Sequence, residues 1–271
     1  MIDPKQIKAL FFDVDGTLVS YQNHRIHPQD LKTLAALHER GIKLFIASGR
    51  DFAIPQEAAT ITEAAPYMDG YIGINGQHCE LADGTVVSSY VMDDGDLQRV
   101  RKCCEDNRIA MLYYLGTQSY VTELTDNVYG FAEYVGLPVH PVRPLAPDEP
   151  TPRKVCIYVS EADEIRLLRP LLKHTQTANN RDFLSDMIPE GVGKDSGIRD
   201  ICTYLGIDPQ ETMAFGDGEN DLSMLRAAGI GVAMGSAPDN VKESADYVTG
   251  TAEEAGITQA LEHFGILQLH E

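Results

Sequence analysis

Along this chain, apolar residues gather into short unbroken runs that stop at small polar clusters. Between the runs they recur every three to four positions. The first run, Ala9-Leu10-Phe11-Phe12, ends in Asp13-Val14-Asp15-Gly16-Thr17. A run apolar at every position predicts a parallel-sheet strand covered on both faces. Pro28 opens a helix that carries Leu31, Leu34, Ala35 and Leu37 on one face and closes at Gly41. A second run, Leu44-Phe45-Ile46-Ala47, stops at Ser48-Gly49-Arg50, and a helix is expected over roughly residues 52–63. A third strand, Tyr71-Ile72-Gly73-Ile74, ends at Asn75-Gly76. This β-α-β-α-β succession predicts an α/β core, a doubly wound parallel sheet with right-handed crossovers.

The texture then changes. Asp83-Gly84 is a hairpin signal, and the stretch up to about residue 185 mixes strands (111–114, 155–159) with helices (96–107, 127–135, 161–174) and a Pro-rich connector over 138–152. Beyond Ile188-Pro189 the first pattern returns, with a helix over 194–205 and a strand Met213-Ala214-Phe215. That strand ends in Gly216-Asp217-Gly218-Glu219-Asn220-Asp221. A helix over 222–228, a strand over 230–234, a short helix after Pro238 and a last one near 253–264 follow. The expectation is a core of residues 1–82 and 186–271 interrupted by an inserted α+β cap, residues 83–185, large enough for its own hydrophobic centre.

Charge narrows the partners. With 41 acidic against 22 basic residues the net charge is −19, and no basic footprint for nucleic acid is visible. No apolar run approaches the ~20 residues that cross a bilayer. Met1-Ile2-Asp3-Pro4-Lys5 has none of the marks of a secretory signal. Five cysteines, an odd number, do not read as a disulfide framework, and the adjacent Cys103 and Cys104 read as free thiols on a helix. A cytoplasmic protein is expected, and no obligate protein partner is evident. An acidic protein that handles an anionic ligand needs a local reversal of field, which a bound divalent cation supplies.

Ligands of open α/β sheets bind at the carboxyl ends of the strands. The first strand brings Asp13 and Asp15 to that edge, the second Ser48, and the late strand Asp217 with Asn220 and Asp221 close behind. Lys194 starts a helix, so its amine and the helix's free N–H groups face the same edge. Such acids suit Mg²⁺, a hard cation that takes oxygen ligands and shares its site with phosphate. Asp13, Asp217 and a backbone carbonyl near Asp15 fit it. Lys194 is placed to hold a phosphoryl group or the acid about to attack it, and Ser48 to donate to a phosphoryl oxygen. One carboxylate can attack phosphorus while a second protonates the leaving oxygen. Residues two apart on a strand point the same way, so Asp13 and Asp15 can face one substrate. Gly16 permits a sharp turn past it.

Together, Asp13-Val14-Asp15-Gly16-Thr17, Ser48 after an apolar strand, Lys194 leading a helix and Gly216 to Asp221 resemble the haloacid dehalogenase superfamily in kind and order. The position of the cap, Ser48-Gly49-Arg50 and Asn75-Gly76 are similar to its Cof-type sugar-phosphate phosphatases. The resemblance implies Asp13 as nucleophile and Asp15 as general acid/base. It implies Ser48, Gly49, Lys194 and Asn220 around the phosphate. It also implies a Mg²⁺ held by Asp13, the Asp15 carbonyl and Asp217, with Asp221 acting through a water. The expected activity is hydrolysis of a small phosphorylated metabolite, a sugar phosphate foremost. Pyridoxal phosphate or flavin mononucleotide, a phosphosugar mutase, and a non-catalytic phosphate-binding module are the alternatives.

Other candidates read as structural. Asp83-Gly84-Thr85 repeats the letters of Asp15-Gly16-Thr17 without a buried strand before it and reads as a hairpin turn. His24 and His27 read as a solvated loop. Tyr113, Tyr114 and Tyr120 read as sheet residues that could line a pocket, and Asp93, Asp94 and Asp96 as a helix-start cluster. Arg143, Arg153 and Arg181 read as surface groups.

Overall fold

The computed structural model describes residues 6–136, 138–181 and 183–267, with side chains at all of these except 135 and 178–181, so the side chain of Arg181 lies outside the description. The chain divides into two units. One comprises residues up to Phe52, Glu57–Ser89 and the chain from Gly193 onward; the other comprises Ala53–Gln56 and Tyr90–Val192.

Strands organise the first unit, buried on both faces at the centre of the sheet and partly exposed at its edges. In chain order they are β1 (Ala9–Phe12), β2 (Lys43–Ala47), β3 (Gly70–Gly73), β4 (His78–Leu81) and β5 (Val86–Ser89). Beyond five strands of the second unit come β11 (Thr212–Gly216), β12 (Ile230–Ala233) and β13 (Tyr247–Val248). They form one sheet in the order β13-β12-β11-β1-β2-β3-β4-β5. It is parallel from β13 to β3 and antiparallel at β4 and β5. Phe12 lies in register with Phe215 on one side and Ile46 on the other, which brings the ends of β1, β2 and β11 level.

Alternate side chains of each strand feed two different layers. Leu10, Phe12, Leu44, Ile46, Met213 and Phe215 pack with Leu34 and Leu37 of the helix Pro28–Glu39 and with Ile257 and Leu261 of the helix Gly256–His263. Ala9, Phe11, Phe45, Ala47 and Ala214 pack on the other face with Ile198 and Ile201 of the helix Lys194–Leu205 and Met224 of the helix Leu222–Ala227. Phe11 stacks on Phe45 at 5.1 Å and Phe12 on Phe215 at 5.2 Å. Each buried ring contributes roughly 1.5–3 kcal/mol by removal from water. Sequence periodicity found β1 and the inner runs 44–47 and 213–215 because burial on both sides leaves no polar position in them.

Two sequence expectations for this unit need revision. The helix over 52–63 is only Pro55–Ala58 followed by a 3₁₀ turn, Ala59–Ile61. Thr60 and Thr62 turn their hydroxyls back onto the carbonyls of Glu57 and Ala59, a local competition that shortens helices. The Asp83-Gly84 hairpin joins β4 to β5 inside the first sheet, and the units divide at Ser89/Tyr90 and Val192/Gly193. Both boundaries fall later than the sequence reading placed them, because β5 pairs with β4 while Leu184–Pro189 pairs within the other sheet.

The second unit carries that other sheet, antiparallel, in the order β7-β6-β8-β10-β9. Its strands are β6 (Met111–Leu115), β7 (Gln118–Val121), β8 (Val155–Ile157), β9 (Thr175–Arg181) and β10 (Leu184–Pro189). Met111, Tyr113, Val155 and Met187 pack against Leu97, Val100 and Cys104 of the helix Asp94–Asn107. Leu112, Tyr114, Cys156 and Leu184 pack on the opposite face with Val128 of the helix Asp126–Val135. Tyr113 is thus a core residue, its hydroxyl donating to the Arg143 carbonyl at 2.9 Å. Arg143 is half-buried rather than a free surface group, its guanidinium over the Tyr120 ring and paired with Glu149. The expected helix over 161–174 breaks into one α-turn (Glu161–Asp163), a π turn (Glu164–Leu168) and a 3₁₀ turn (Arg169–Leu171).

Candidate active site

The parallel register sets the site. The Asp13 amide donates to the Phe215 carbonyl at 2.9 Å, so Asp13 stands immediately beyond β1 and next to the loop that leaves β11. That loop folds onto itself: the Asp221 Oδ2 accepts from the amides of Asp217 at 3.0 Å and Gly218 at 2.9 Å. Lys194, first residue of its helix, is 1% exposed. Its ammonium donates to Asp13 Oδ1 at 2.5 Å and to Asp221 Oδ1 at 2.6 Å. Asp13, Asp217 and Asp221, all buried, each present an oxygen within 4.8 Å of the others. Gly16 makes this approach possible. It lies at φ +84°, and a Cβ there would stand 2.3 Å from an Asp217 carboxylate oxygen.

Asp15 arrives differently from the sequence expectation. β1 stops at Phe12, so Asp13 and Asp15 do not share a strand face. Asp15 sits in the turn that follows, bridged to Val19, and its carboxylate is gripped side-on by Arg50. Arg50 Nε donates to Oδ2 at 2.9 Å and Nη2 to Oδ1 at 2.7 Å. Asp15 nevertheless lies near enough for its charge to act on Asp13. Ser48 is buried, its Oγ accepting from the Arg50 amide at 3.2 Å and its carbonyl from the Asn75 amide at 2.9 Å. Gly49 between them is half-buried. Asn220 donates from Nδ2 to Asn75 Oδ1 at 3.4 Å.

Asp13, Lys194, Asp217 and Asp221 therefore form one cluster, and Asp15, Ser48, Gly49 and Asn220 are tied around it through Arg50 and Asn75. Sequence reasoning assigned no role to Arg50 or Asn75, nor to Thr17, whose hydroxyl donates to Asp217 Oδ1 at 3.3 Å. Their signal was adjacency: each lies within the motifs that carry Asp15 or Ser48, or ends the next strand along. The remaining candidates are structural. His27 caps the helix Pro28–Glu39, its Nδ1 accepting from the Gln29 amide, and His24 is exposed. Asp96 is buried rather than exposed at a helix start.

Electrostatics set this cluster apart. Burial, then the neighbouring Asp221 charge, raises Asp13 to about 7 against the pull of Lys194. Burial, with Asp13 and Asp221, holds Asp217 well above the carboxylate range. Burial alone would lower the Lys194 ammonium, but the Asp13 and Asp221 carboxylates more than offset it and hold it charged. Three acids share one cation, leaving two negative charges uncompensated when all are ionised. Close, buried, exclusively oxygen donors in excess of their counter-charge fit a hard divalent cation.

A family model for haloacid dehalogenase-like hydrolases matches residues 10–261. The chain belongs to this family. Among solved structures, this haloacid dehalogenase-like hydrolase is similar to the subclass IIB sugar phosphatase BT4131, with a TM-score of 0.87 and 34% identity over 96% of this chain and 100% of that one. It is 26% identical over 267 residues to the 5-amino-6-(5-phospho-D-ribitylamino)uracil phosphatase YcsE of Bacillus subtilis, covering 95% of this chain and 96% of that protein. A Streptococcus pyogenes protein, whose name pairs a phosphatase with a peptidyl-prolyl cis-trans isomerase, is 26% identical over 97% of this chain. The hydrolase spans only 55% of that longer relative. Its parallel core sheet with a second, antiparallel sheet is the arrangement of the family's solved phosphatases. Among the described residues, no helix is long and apolar enough to cross a membrane.

Proposed function

We propose that this hydrolase is a divalent-metal-dependent phosphatase that cleaves small phosphate monoesters, sugar phosphates foremost, through a phosphorylated Asp13. The observation that carries the proposal is Lys194 bridging Asp13 at 2.5 Å and Asp221 at 2.6 Å inside a charge-deficient cluster of three acids. A second acid, Asp15, stands near enough to influence Asp13.

In this reading Asp13 attacks phosphorus as the bond to the leaving oxygen breaks, and the Asp15 proton passes to that oxygen. Asp15, now a carboxylate, takes a proton from water as the water attacks the Asp13 phosphoanhydride, which releases inorganic phosphate and restores both acids. Ser48, Gly49, Lys194 and Asn220 orient the phosphoryl oxygens, and the Lys194 charge favours the ionised Asp13 that attacks. Asp13, Asp217 and the Asp15 carbonyl would hold Mg²⁺, with Asp221 supporting them, and the ion would neutralise charge on the phosphoryl group. The similarity to a sugar phosphatase supports the sugar-phosphate assignment. The similarity to a phosphatase acting on a ribityl phosphate supports including flavin mononucleotide beside it.

The test is phosphate release with Mg²⁺ from a panel of sugar phosphates, pyridoxal phosphate, flavin mononucleotide and nucleotides, with isomerised sugar phosphate monitored in parallel. Release that stops in chelator and in Asp13→Asn supports the proposal. Isomerisation without release identifies a mutase, and turnover in Asp13→Asn overturns the mechanism.

A further inference from the structure

We infer that Arg50 is a positioning residue for Asp15: it clamps the carboxylate that the first half-reaction leaves behind and holds it for the second. The inference rests on the phosphatase reading above. Its observation is the side-on chelate, in which Nε and Nη2 of one guanidinium engage both oxygens of one carboxylate at 2.9 and 2.7 Å. Such a paired, charge-assisted contact fixes direction as well as distance. The Arg50 side chain is 8% exposed and that of Asp15 28%, so the clamp is protein-facing while the carboxylate keeps access to its surroundings.

The clamp is itself held from behind. The Arg50 amide donates to Ser48 Oγ, and its carbonyl accepts from the Ile74 amide at 2.9 Å. Ile74 lies at φ +51° and Asn75 at φ +50°. A β-branched residue adopts that region only where its surroundings impose it. The next residue, Gly76, lies at φ +94°, and a Cβ there would fall 2.0 Å from the Gly193 carbonyl oxygen. The strained turn is thus wedged between the Ser48–Arg50 loop and the start of the Lys194 helix, and it fixes the Arg50 backbone from which the guanidinium extends.

A carboxylate with both oxygens chelated can only accept. To protonate a leaving group, Asp15 must carry its proton on an oxygen released from Arg50. Once that proton has gone to the leaving oxygen, the clamp re-forms on the carboxylate that will deprotonate water. Arg50 therefore acts through Asp15 and affects most strongly the half-reaction in which that carboxylate takes a proton from water.

The experiment separates the two halves on p-nitrophenyl phosphate: kcat/KM reports phosphorylation alone, and decay of the phosphoenzyme after rapid mixing reports its hydrolysis. Arg50→Gln is expected to slow hydrolysis of the phosphoenzyme about 10- to 100-fold and to lower kcat/KM only a few-fold. Asp15→Asn should slow hydrolysis at least as much, and the double variant should be no slower than Asp15→Asn. Arg50→Lys, a point charge without the fork, should remain impaired in hydrolysis while melting like the wild type, and it replaces Arg50→Gln if that variant fails to fold. Equal losses in both halves, or losses that multiply in the double variant, overturn the inference. A wild type that releases no phosphate speaks against the phosphatase reading. Side-chain ¹⁵N spectra then decide the clamp alone: Arg50 Nη signals slowed in the wild type and averaged in Asp15→Asn support it, and signals averaged in both overturn it.

Discussion

Two groups of buried carboxylates, one in each unit, differ in how their charge is met. In the second unit Glu164 has no exposure, yet it accepts from Thr177 at 2.6 Å, from Arg169 at 2.8 Å and from Ser185. Asp96, equally buried, accepts from the amides of Lys173 and His174 and from Arg99. Burial opposes ionisation of both, but these donors outweigh it and hold both below the ordinary carboxylate range. In the first unit, burial and mutual repulsion prevail over a single ammonium, and Asp13 and Asp217 are raised. A buried acid by itself is therefore no sign of chemistry. The sign is a buried acid whose partners fall short, because the deficit reserves the site for something the chain does not supply.

The sharpest way to break that contrast is Asp13→Asn. Turnover should fall by at least about a thousandfold, since a carboxamide is no nucleophile. In chelator, however, the variant should be the more stable protein. The wild-type Asp13 titrates near 7 when folded against 3.8 when free. The folded state therefore binds protons more readily, and wild-type stability declines as pH rises from about 4 through 7. Removing that charge should gain about 1–3 kcal/mol at pH 8 and nothing near pH 4, as read by denaturant melts. A variant less stable than wild type at pH 8 would show that the acids of this cluster are as well met as Glu164.

Lys194→Met takes away the one cation. The acids then face each other uncompensated, and breaking a buried ion pair from one side costs about 3–5 kcal/mol. Phosphate release should be lost with it, and addition of Mg²⁺ should recover part of the stability but not the activity. Equal melting of variant and wild type in chelator would show that Lys194 does not carry the balance described.

How far this contrast is legible in the sequence depends on the range of the contacts. Asp13, Lys194 and Asp217 announce themselves because each stands where a buried strand or a helix begins or ends, and the sheet does the rest. The link from Asp15 to Arg50 spans 35 residues, and strand periodicity misdirects it, because β1 ends before Asp13. Glu164 reads as one more acid in a charged helix. Its partners Thr177 and Ser185 lie on β9 and β10, and β9, polar at every position but Ala178, carries no alternation that would mark it as a strand. Sequence shows which residues could carry charge; the fold decides which of those charges are met.

Glu164 should then behave as the mirror image of Asp13. Glu164→Ala removes the acceptor on which Thr177, Ser185 and Arg169 converge. Leaving those groups unpaired costs about 1–3 kcal/mol, with the π turn Glu164–Leu168 losing its hydrogen-exchange protection first. Arg169 is half exposed, so its share is the smallest. Loss of stability with intact phosphoryl-transfer chemistry separates this acid from the cluster of the first unit. A gain in stability would place it with Asp13.

The smallest effect concerns a half-buried base in the second unit that meets the same problem by discharging. Burial, then the Lys154 charge, lowers His140 to about 4. Its Nδ1 lies 2.7 Å from Ser119 Oγ, and its ring stands edge-on to Tyr114. In the unfolded chain the imidazole titrates near 6.5. Between pH 6.5 and 4 the unfolded state therefore binds the extra proton, and stability falls as pH falls through that window, with nothing further lost below it. The partial exposure of the ring reduces the full linkage to about 1–2 kcal/mol. His140→Gln keeps a partner for Ser119 but cannot take up the proton, so its denaturation midpoint should change less between pH 7 and pH 4.5 than that of the wild type. Taking the difference between the two proteins cancels the carboxylates common to both. If the two proteins lost the same stability over that interval, the neutral imidazole would not be what this part of the fold requires.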